Sequence, residues 1–280
     1  MAPVYRSKSD ALEAVIGRRR RAVIGVVHLP PLPGSPAYAG AALDDLVGAA
    51  LEDATRYARG GVHGLIVENH GDIPFAKPDD LGPETAAVMA VITDRVRREV
   101  GLPLGINVLA NAAEQAIAVA LAGGAHFVRV NQWANAYVAN EGFLEGPAAA
   151  ATRYRSRLHA QHLRVFADVH VKHGAHAITA DRSLEELTRD LEFFDADAVI
   201  VTGQRTGDGA DLAELRTVRR ATQLPLLVGS GVTEANVGPI LEVADGVIVA
   251  SALKHDGVWW NAVDEARVRA FMAVVDAHGA

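Results

Sequence analysis

Glu68, Asp168, Lys172, His28 and His170 are the side chains of this sequence best suited to moving protons. Each stands at or just beyond the end of a short run of Val, Ile, Leu, Ala and Gly. In Val165-Phe-Ala-Asp-Val-His-Val-Lys172 the odd positions are all apolar, while Asp168, His170 and Lys172 occupy alternate even ones. An extended chain has a side-chain period of two, so those three share one face. The same alternation aims His28, Glu68, Asn107, Arg129, Asn131 and Thr202 toward that face near the ends of five other runs. Buried charge must be paired or solvated, so the convergence of such a set on one end predicts a pocket. Glu68 and Asp168 are then a candidate general acid/base pair, assisted by Lys172 or His170. Asn107, Arg129, Asn131, Thr202 and Arg205 are candidate substrate-binding groups. Two other readings stand beside this one. Asp168 can simply neutralise Lys172 or Arg129, and His28, Glu68, Asp168 and His170 could hold a divalent metal, although no HExxH-type spacing supports that.

A second stretch suggests what the pocket holds. Leu224-Pro-Leu-Leu-Val-Gly-Ser-Gly231 is a short apolar strand running into glycines, and Gly246-Val-Ile-Val-Ala250 is another, ending at Ser251. Glycines at a strand end let backbone amides approach a ligand, and a helix capped by Thr233 would add a positive dipole end. Gly229, Ser230, Gly231, Ala250 and Ser251 are therefore the candidate phosphate-binding residues. Thr202-Gly-Gln-Arg-Thr-Gly-Asp-Gly209 adds a flexible loop in which Arg205 could clamp the same group.

Elements that position these residues follow from periodicity. Eight strand patterns are expected at Ala22–His28, Gly64–Asn69, Leu104–Leu109, His126–Asn131, Arg164–Val171, Ala198–Thr202, Pro225–Val228 and Gly246–Ala250. Amphipathic helices are expected between them, at Leu43–Ala58, Glu84–Glu99, Ala112–Ala122, Ala148–Gln161, Leu184–Phe194, Leu212–Thr222 and Ala235–Val243, with Val263–Ala277 last. Asn111 and Ser183 stand where N-caps belong. Strands alternating with helices indicate a parallel sheet, and eight such units indicate one closed (β/α)8 barrel spanning the chain, with a doubly wound open sheet as the runner-up. Active sites of such barrels lie at the C-terminal ends of the strands, and phosphate sites follow the last two strands. Residues 1–20 read as an N-terminal extension. Residues 132–146 form a connection longer than needed and read as a lid. The stretch from His28 to Pro36 reads as an active-site rim.

Composition excludes several functions. The 280 residues carry a net charge of −7, so there is no broad basic footprint for nucleic acid. Arg18-Arg19-Arg20-Arg21 is the exception and reads as a solvated helix end. There are no cysteines, which removes disulfides and thiolate metal sites. No apolar run is long enough to span a bilayer, and the expectation is a cytoplasmic protein, assembled as a homo-oligomer, without direct membrane insertion.

The strings Val27-His-Leu-Pro-Pro-Leu-Pro-Gly-Ser-Pro36, Val67-Glu-Asn69, Gly105-Ile-Asn-Val-Leu109, Phe127-Val-Arg-Val-Asn131, Val171-Lys-His173, Val201-Thr-Gly203 and Val228-Gly-Ser-Gly231 resemble the BtpA/SgcQ family. The resemblance runs from about Arg21 onward. It implies a ribulose-phosphate-binding type barrel and a family named for photosystem I biogenesis, with members in organisms that have no photosystem. It assigns no catalytic residue. Asn140, before Glu141-Gly142, departs from the acidic residue expected there and would alter the charge of the lid. The first functional expectation is an enzyme taking a phosphorylated sugar or related metabolite through isomerase- or lyase-type chemistry. Its rivals are a non-catalytic factor for biogenesis of a membrane complex, with Trp259-Trp260 as contact surface, and a metal-dependent hydrolase.

Overall fold

A computed structural model describes residues 8–171, 174–203 and 211–278 of the protein. Eight parallel strands close into a barrel: β1 (Ala22–His28), β2 (Gly64–Glu68), β3 (Leu104–Asn107), β4 (Phe127–Val130), β7 (Arg164–His170), β8 (Ala198–Val201), β9 (Leu226–Val228) and β10 (Gly246–Val249). Closure is made by β1 pairing with β10, Ala22 opposite Gly246 through Gly25 opposite Val249. The open-sheet alternative is thereby excluded. Crossover helices lie between strands: α2 (Leu43–Gly60), α3 (Pro83–Val100), α4 (Ala113–Gly123), α5 (Ala148–Arg157), α6 (Leu184–Phe193), α7 (Leu212–Ala221) and α8 (Val237–Val243), with α9 (Glu265–Ala277) last.

Alternation along the strands produces two cores. Outward residues such as Val23, Val27, Leu65, Val67, Ile106, Val165, Ala167 and Val169 join the layer under the helices. Inward residues Ile24, Val26, Ile66, Phe127, Phe166, Ile200, Leu227 and Ile248 fill the barrel itself. The Phe127 and Phe166 rings stack at 4.5 Å between centroids, and Gly105 leaves the space the Phe127 ring occupies, since a Cβ there would collide with it. The inward apolar layers make a packed plug, so any cavity must lie beyond it, at an end.

The residues expected as an extension contribute a helix, α1 (Ala11–Ile16), which the periodicity reading did not include. Leu12, Val15 and Ile16 pack into the interior cluster, closing the N-terminal end. Burying such side chains contributes about 1.5–3 kcal/mol each. Arg18, Arg19 and Arg20 follow as exposed residues.

The expected lid is an antiparallel hairpin, β5 (Ala136–Ala139) with β6 (Gly142–Glu145). It is tied down at its base. Trp133 is fully buried and donates Nε1–H to the Phe194 carbonyl at 2.8 Å. Asn111 is not an N-cap. It lies in the left-handed region (φ 62°), where its amide donates to the carbonyls of Gln132 and Glu145 and accepts from the Gln132 N–H, so it holds the hairpin. Ser183 is a true cap, in a reciprocal capping box with Glu186. Thr233 is not a cap either. Its N–H donates to Asn236 Oδ1, and α8 starts only at Val237. That helix has seven residues, too short and too late to direct a dipole at the glycine turn.

Candidate functional site

A cavity of about 530 Å³ opens at the C-terminal ends of the strands. One end is formed by Gly229, Ser230 and Gly231 after β9, by Ala250 and Ser251 after β10, and by Arg267 of α9. Gly231 has φ 67°, a conformation that a side chain bearing Cβ rarely adopts, so the turn keeps backbone rather than side chains at the wall. All five candidate phosphate residues thus share one wall, with a guanidinium beside them. The other end is formed by His28, Glu68, His70 and Trp259, and Arg129 lies on the wall between.

Glu68 ends β2 pointing inward, with its side chain 7% exposed. Its Oε2 accepts from Asn107 Nδ2 at 2.6 Å, and its Oε1 faces His70 Nδ1 at 2.9 Å and His28 Nε2 at 3.6 Å. Burial alone would raise this carboxyl, but the hydrogen bond and charge of His70, with His28 and Arg129 beyond, outweigh it and hold Glu68 well below the ordinary carboxylate range. Burial pushes the His28 imidazole the other way, down to about 3 despite the nearby Glu68 carboxylate, so His28 is neutral at neutral pH. The two imidazoles stack 4.3 Å apart at 15°, and the Trp259 ring meets both edge-on. Ligand atoms of His28, Glu68 and His70 all lie within 4.8 Å of one another, close enough for one ion.

Asp168 lies one step further back. Both its oxygens accept from Arg129, Oδ1 from Nε at 3.0 Å and Oδ2 from Nη2 at 2.9 Å, and Oδ2 also accepts from Asn131 at 3.3 Å. This is a buried, bidentate pair. Burial opposes the Arg129 charge, but Asp168 and then Glu68 more than offset it, so the guanidinium stays charged on the cavity wall. Asp168 therefore positions Arg129, and the neutralising reading of Asp168 describes its geometry better than the acid/base one.

The other expected residues divide. Asn107 reaches the cavity only through Glu68, and Asn131 only through Asp168. Thr202 Oγ1 donates to the His170 carbonyl at 2.9 Å. The β7–β8 register shifts between Asp168 and His170, and the His170 ring stacks on His176 at 3.8 Å. None of these four lines the cavity. Lys172 and Arg205 lie outside the described residues.

Sequence reasoning missed His70 and Lys254, and it offered Trp259 only as part of a contact surface, whereas Trp259 lines the cavity. His70 was legible: it continues the inward alternation of Ile66 and Glu68 past the end of the strand. Lys254 is 2% exposed and bonds Asp53 Oδ2 at 3.3 Å, while Asp53 Oδ1 accepts the Val263 N–H. Burial pushes the Lys254 ammonium down, in part offset by Asp53. The proline-rich segment expected as a rim is anchored by Leu32 N–H donating to Asp72 Oδ1 and Leu29 N–H to the Glu68 carbonyl, and of its residues only His28 is on the cavity lining.

The closed parallel barrel with inter-strand helices places the chain among the (β/α)8 barrels, and solved structures of that class superpose on nearly all of it. The tryptophan synthase alpha subunit of Legionella pneumophila matches with a TM-score of 0.59 at 14% identity, covering 98% of this chain and 100% of that one. Thiamine phosphate pyrophosphorylase of Pyrococcus furiosus matches with a TM-score of 0.56 at 17% identity, covering 92% and 96%. Likeness at such identities concerns the fold. More narrowly, the chain belongs to the BtpA family, whose model matches residues 19–277. Relatives include an uncharacterized protein of Pyrococcus horikoshii, 42% identical over 86% of this chain and 90% of its own. The photosystem I biogenesis protein BtpA of Synechocystis sp. is 40% identical over 89% and 86%. An uncharacterized mitochondrial protein of Caenorhabditis elegans is 37% identical over 94% and 95%. Among the described residues, no helix is long and apolar enough to cross a membrane.

Proposed function

We propose that this protein is an enzyme of the isomerase or lyase type acting on a phosphorylated small molecule. The observation that carries the reading is the single cavity joining a glycine-lined end to an acid/base cluster. A phosphate fits against the backbone of Gly229–Gly231 and Ala250–Ser251, with Arg267 supplying positive charge. That anchoring sets the other end of a short metabolite beside Glu68 and His70. Glu68, held far below neutral pH, is a weak base by itself, because proton transfer is most efficient near the operating pH. Its better role is to orient His70, to which it is bonded at 2.9 Å, leaving His70 to exchange the proton. Arg129, fixed by Asp168, sits where negative charge would develop on a substrate oxygen, and fixed donors there stabilise an enolate-like state without reorganisation.

A thermal-shift and enzymatic screen of phosphorylated sugars and related metabolites tests the reading. Stabilisation by phosphate esters and not by their dephosphorylated counterparts supports it. Failure of every ester to stabilise the native chain would overturn it.

A further inference from the structure

We propose that His28, Glu68 and His70 bind one divalent transition-metal ion, through two imidazole nitrogens and one carboxylate oxygen. This deepens the preceding reading, since the same three side chains form its reacting end.

The orientation of His28 carries the argument. Its Nδ1 lies 3.2 Å from the Trp259 carbonyl oxygen. A carbonyl can only accept, so Nδ1 bears a hydrogen, and Nε2 is the ring nitrogen left to ligate an ion. Nε2 faces Glu68 Oε1 at 3.6 Å, in a site where the two side chains are 8% and 7% exposed. A cation between an imidazole nitrogen and a carboxylate oxygen in so enclosed a site is attracted by both. Metal-binding histidines characteristically donate their second ring N–H to a carbonyl or carboxylate in this way.

Glu68 is arranged in the same sense. Asn107 occupies Oε2 and leaves Oε1 directed at both imidazoles. Ligand atoms around a tetrahedral ion sit about 3.4 Å apart for bonds of about 2.1 Å. The three atoms here already lie within 4.8 Å of one another. His70, with its side chain 24% exposed, has the most freedom to close the difference. Trp259 meets both imidazoles edge-on, and all three ligand residues line the cavity, from which a substrate oxygen can reach the remaining coordination position. Two imidazoles with one carboxylate favour zinc, iron or cobalt over magnesium or calcium. Such an ion polarises a substrate oxygen, where the metal-free cluster offers proton transfer alone.

The test is calorimetric titration of chelator-stripped full chain with zinc, and separately with magnesium, in the absence of any phosphate ester. One zinc per chain, with no magnesium bound at the same concentrations, is expected. His70→Gln and Glu68→Gln should abolish stoichiometric zinc binding, Asn107→Ala should weaken it by roughly 10–100-fold, and His176→Gln should leave it unchanged. Should Glu68→Gln fail to fold, the more exposed His70 carries the comparison. X-ray absorption of the zinc-loaded chain should show imidazole ligation. Absence of zinc uptake, or native-like uptake by a cooperatively melting His70→Gln variant, overturns the inference. Zinc binding without stabilisation by any phosphate ester would sink the proposed substrate class and leave the metal site standing, and the converse result would do the reverse.

Discussion

The two ends of this barrel present polar residues to the strands in opposite ways. At the N-terminal end the residue before every second barrel strand clamps its neighbour. His63, His126, Asp197 and Asp245 each donate their own N–H to the carbonyl of the residue they face, respectively Val23, Leu104, Val165 and Leu226. Each also accepts that same residue's N–H on its side chain, except that Val23 and Leu104 meet an imidazole Nδ1 and Val165 and Leu226 a carboxylate. The carboxylates are further paired, Asp197 with Lys8, Arg155 and Arg164, and Asp245 with Arg219. At the C-terminal end, His28, Glu68 and His70 turn toward one another and toward a cavity. Polar groups that end on a neighbour's backbone hold the barrel closed, whereas those that end on each other around open space remain available to a ligand. The expected experimental consequence is separable: damage at one end should appear in stability, and damage at the other in turnover.

The largest separation is expected for His70→Gln. With the imidazole that the proposed function relies on removed, turnover on whichever ester the screen identifies should fall about 10²–10⁴-fold. The half-buried side chain touches Glu68, His28 and Trp259 but no backbone clamp, so the melting temperature should stay near the native value. A variant that loses stability and retains activity would break the contrast between the ends.

Asp197→Ala should do the opposite. It leaves Arg164 without its carboxylate, Lys8 and Arg155 with Asp195 alone, and the buried Val165 N–H without its acceptor. Loss of one partner from a buried ion cluster costs about 3–5 kcal/mol. Chemical denaturation should show that cost, while phosphate-ester affinity measured well below the transition stays native. Asp168→Asn sharpens the comparison, because this residue is at the functional end yet, like the clamp carboxylate of Asp197, is buried and paired with arginine. Its bidentate pairing with Arg129 predicts a stability loss first and an activity loss only through misplacement of Arg129.

Much of this contrast was legible in the sequence, and its limits are physical. Period-two alternation in parallel strands puts Glu68, Asn107, Arg129 and Asp168 inward with no tertiary information, because a buried strand has only two faces. The partner each inward group chooses is a distance between elements far apart in the chain, so Asp168 could not be told from a proton-transfer residue. His70 escaped because the reading stopped the strand at Asn69, although the alternation itself continued. Asn111 and Thr233 have the composition of N-caps and serve other ends, one a left-handed hairpin anchor and the other a loop closed by Asn236. The clamps escaped altogether, since a lone His or Asp before an apolar run is indistinguishable from a loop residue until its neighbour strand is known.

At the phosphate wall the effect should be intermediate. Gly231→Val places a β-branched residue at φ 67°, which costs roughly 1–2 kcal/mol in backbone strain. The added side chain also stands where the backbone would meet a phosphate. Ester-induced stabilisation should vanish while the variant still melts cooperatively. Retained stabilisation would move the phosphate to a different wall.

The smallest effect belongs to a histidine clamp and concerns pH. His63 accepts the Val23 N–H on Nδ1 at 3.0 Å, which requires that nitrogen to be unprotonated. Burial, with Arg18 adding to it and Asp276 opposing it, lowers its pKa from 6.5 to about 4. The folded chain thus resists a proton that the unfolded chain takes up near 6.5. Between those values the unfolded state binds more protons, so stability rises with pH, and the contribution of His63 is full above about 6.5 and gone below about 4. Partial exposure of the ring screens the effect, so the change should be modest. His63→Gln offers an acceptor that does not titrate in this range. The stability difference between native chain and variant, measured by denaturation at a series of pH values, should therefore shift against the native chain as pH falls from 6.5 to 4 and be constant outside that window. A difference independent of pH would mean that His63 binds its proton equally well in the folded and unfolded chain, and would overturn the reading of its Nδ1 as a clamp on Val23.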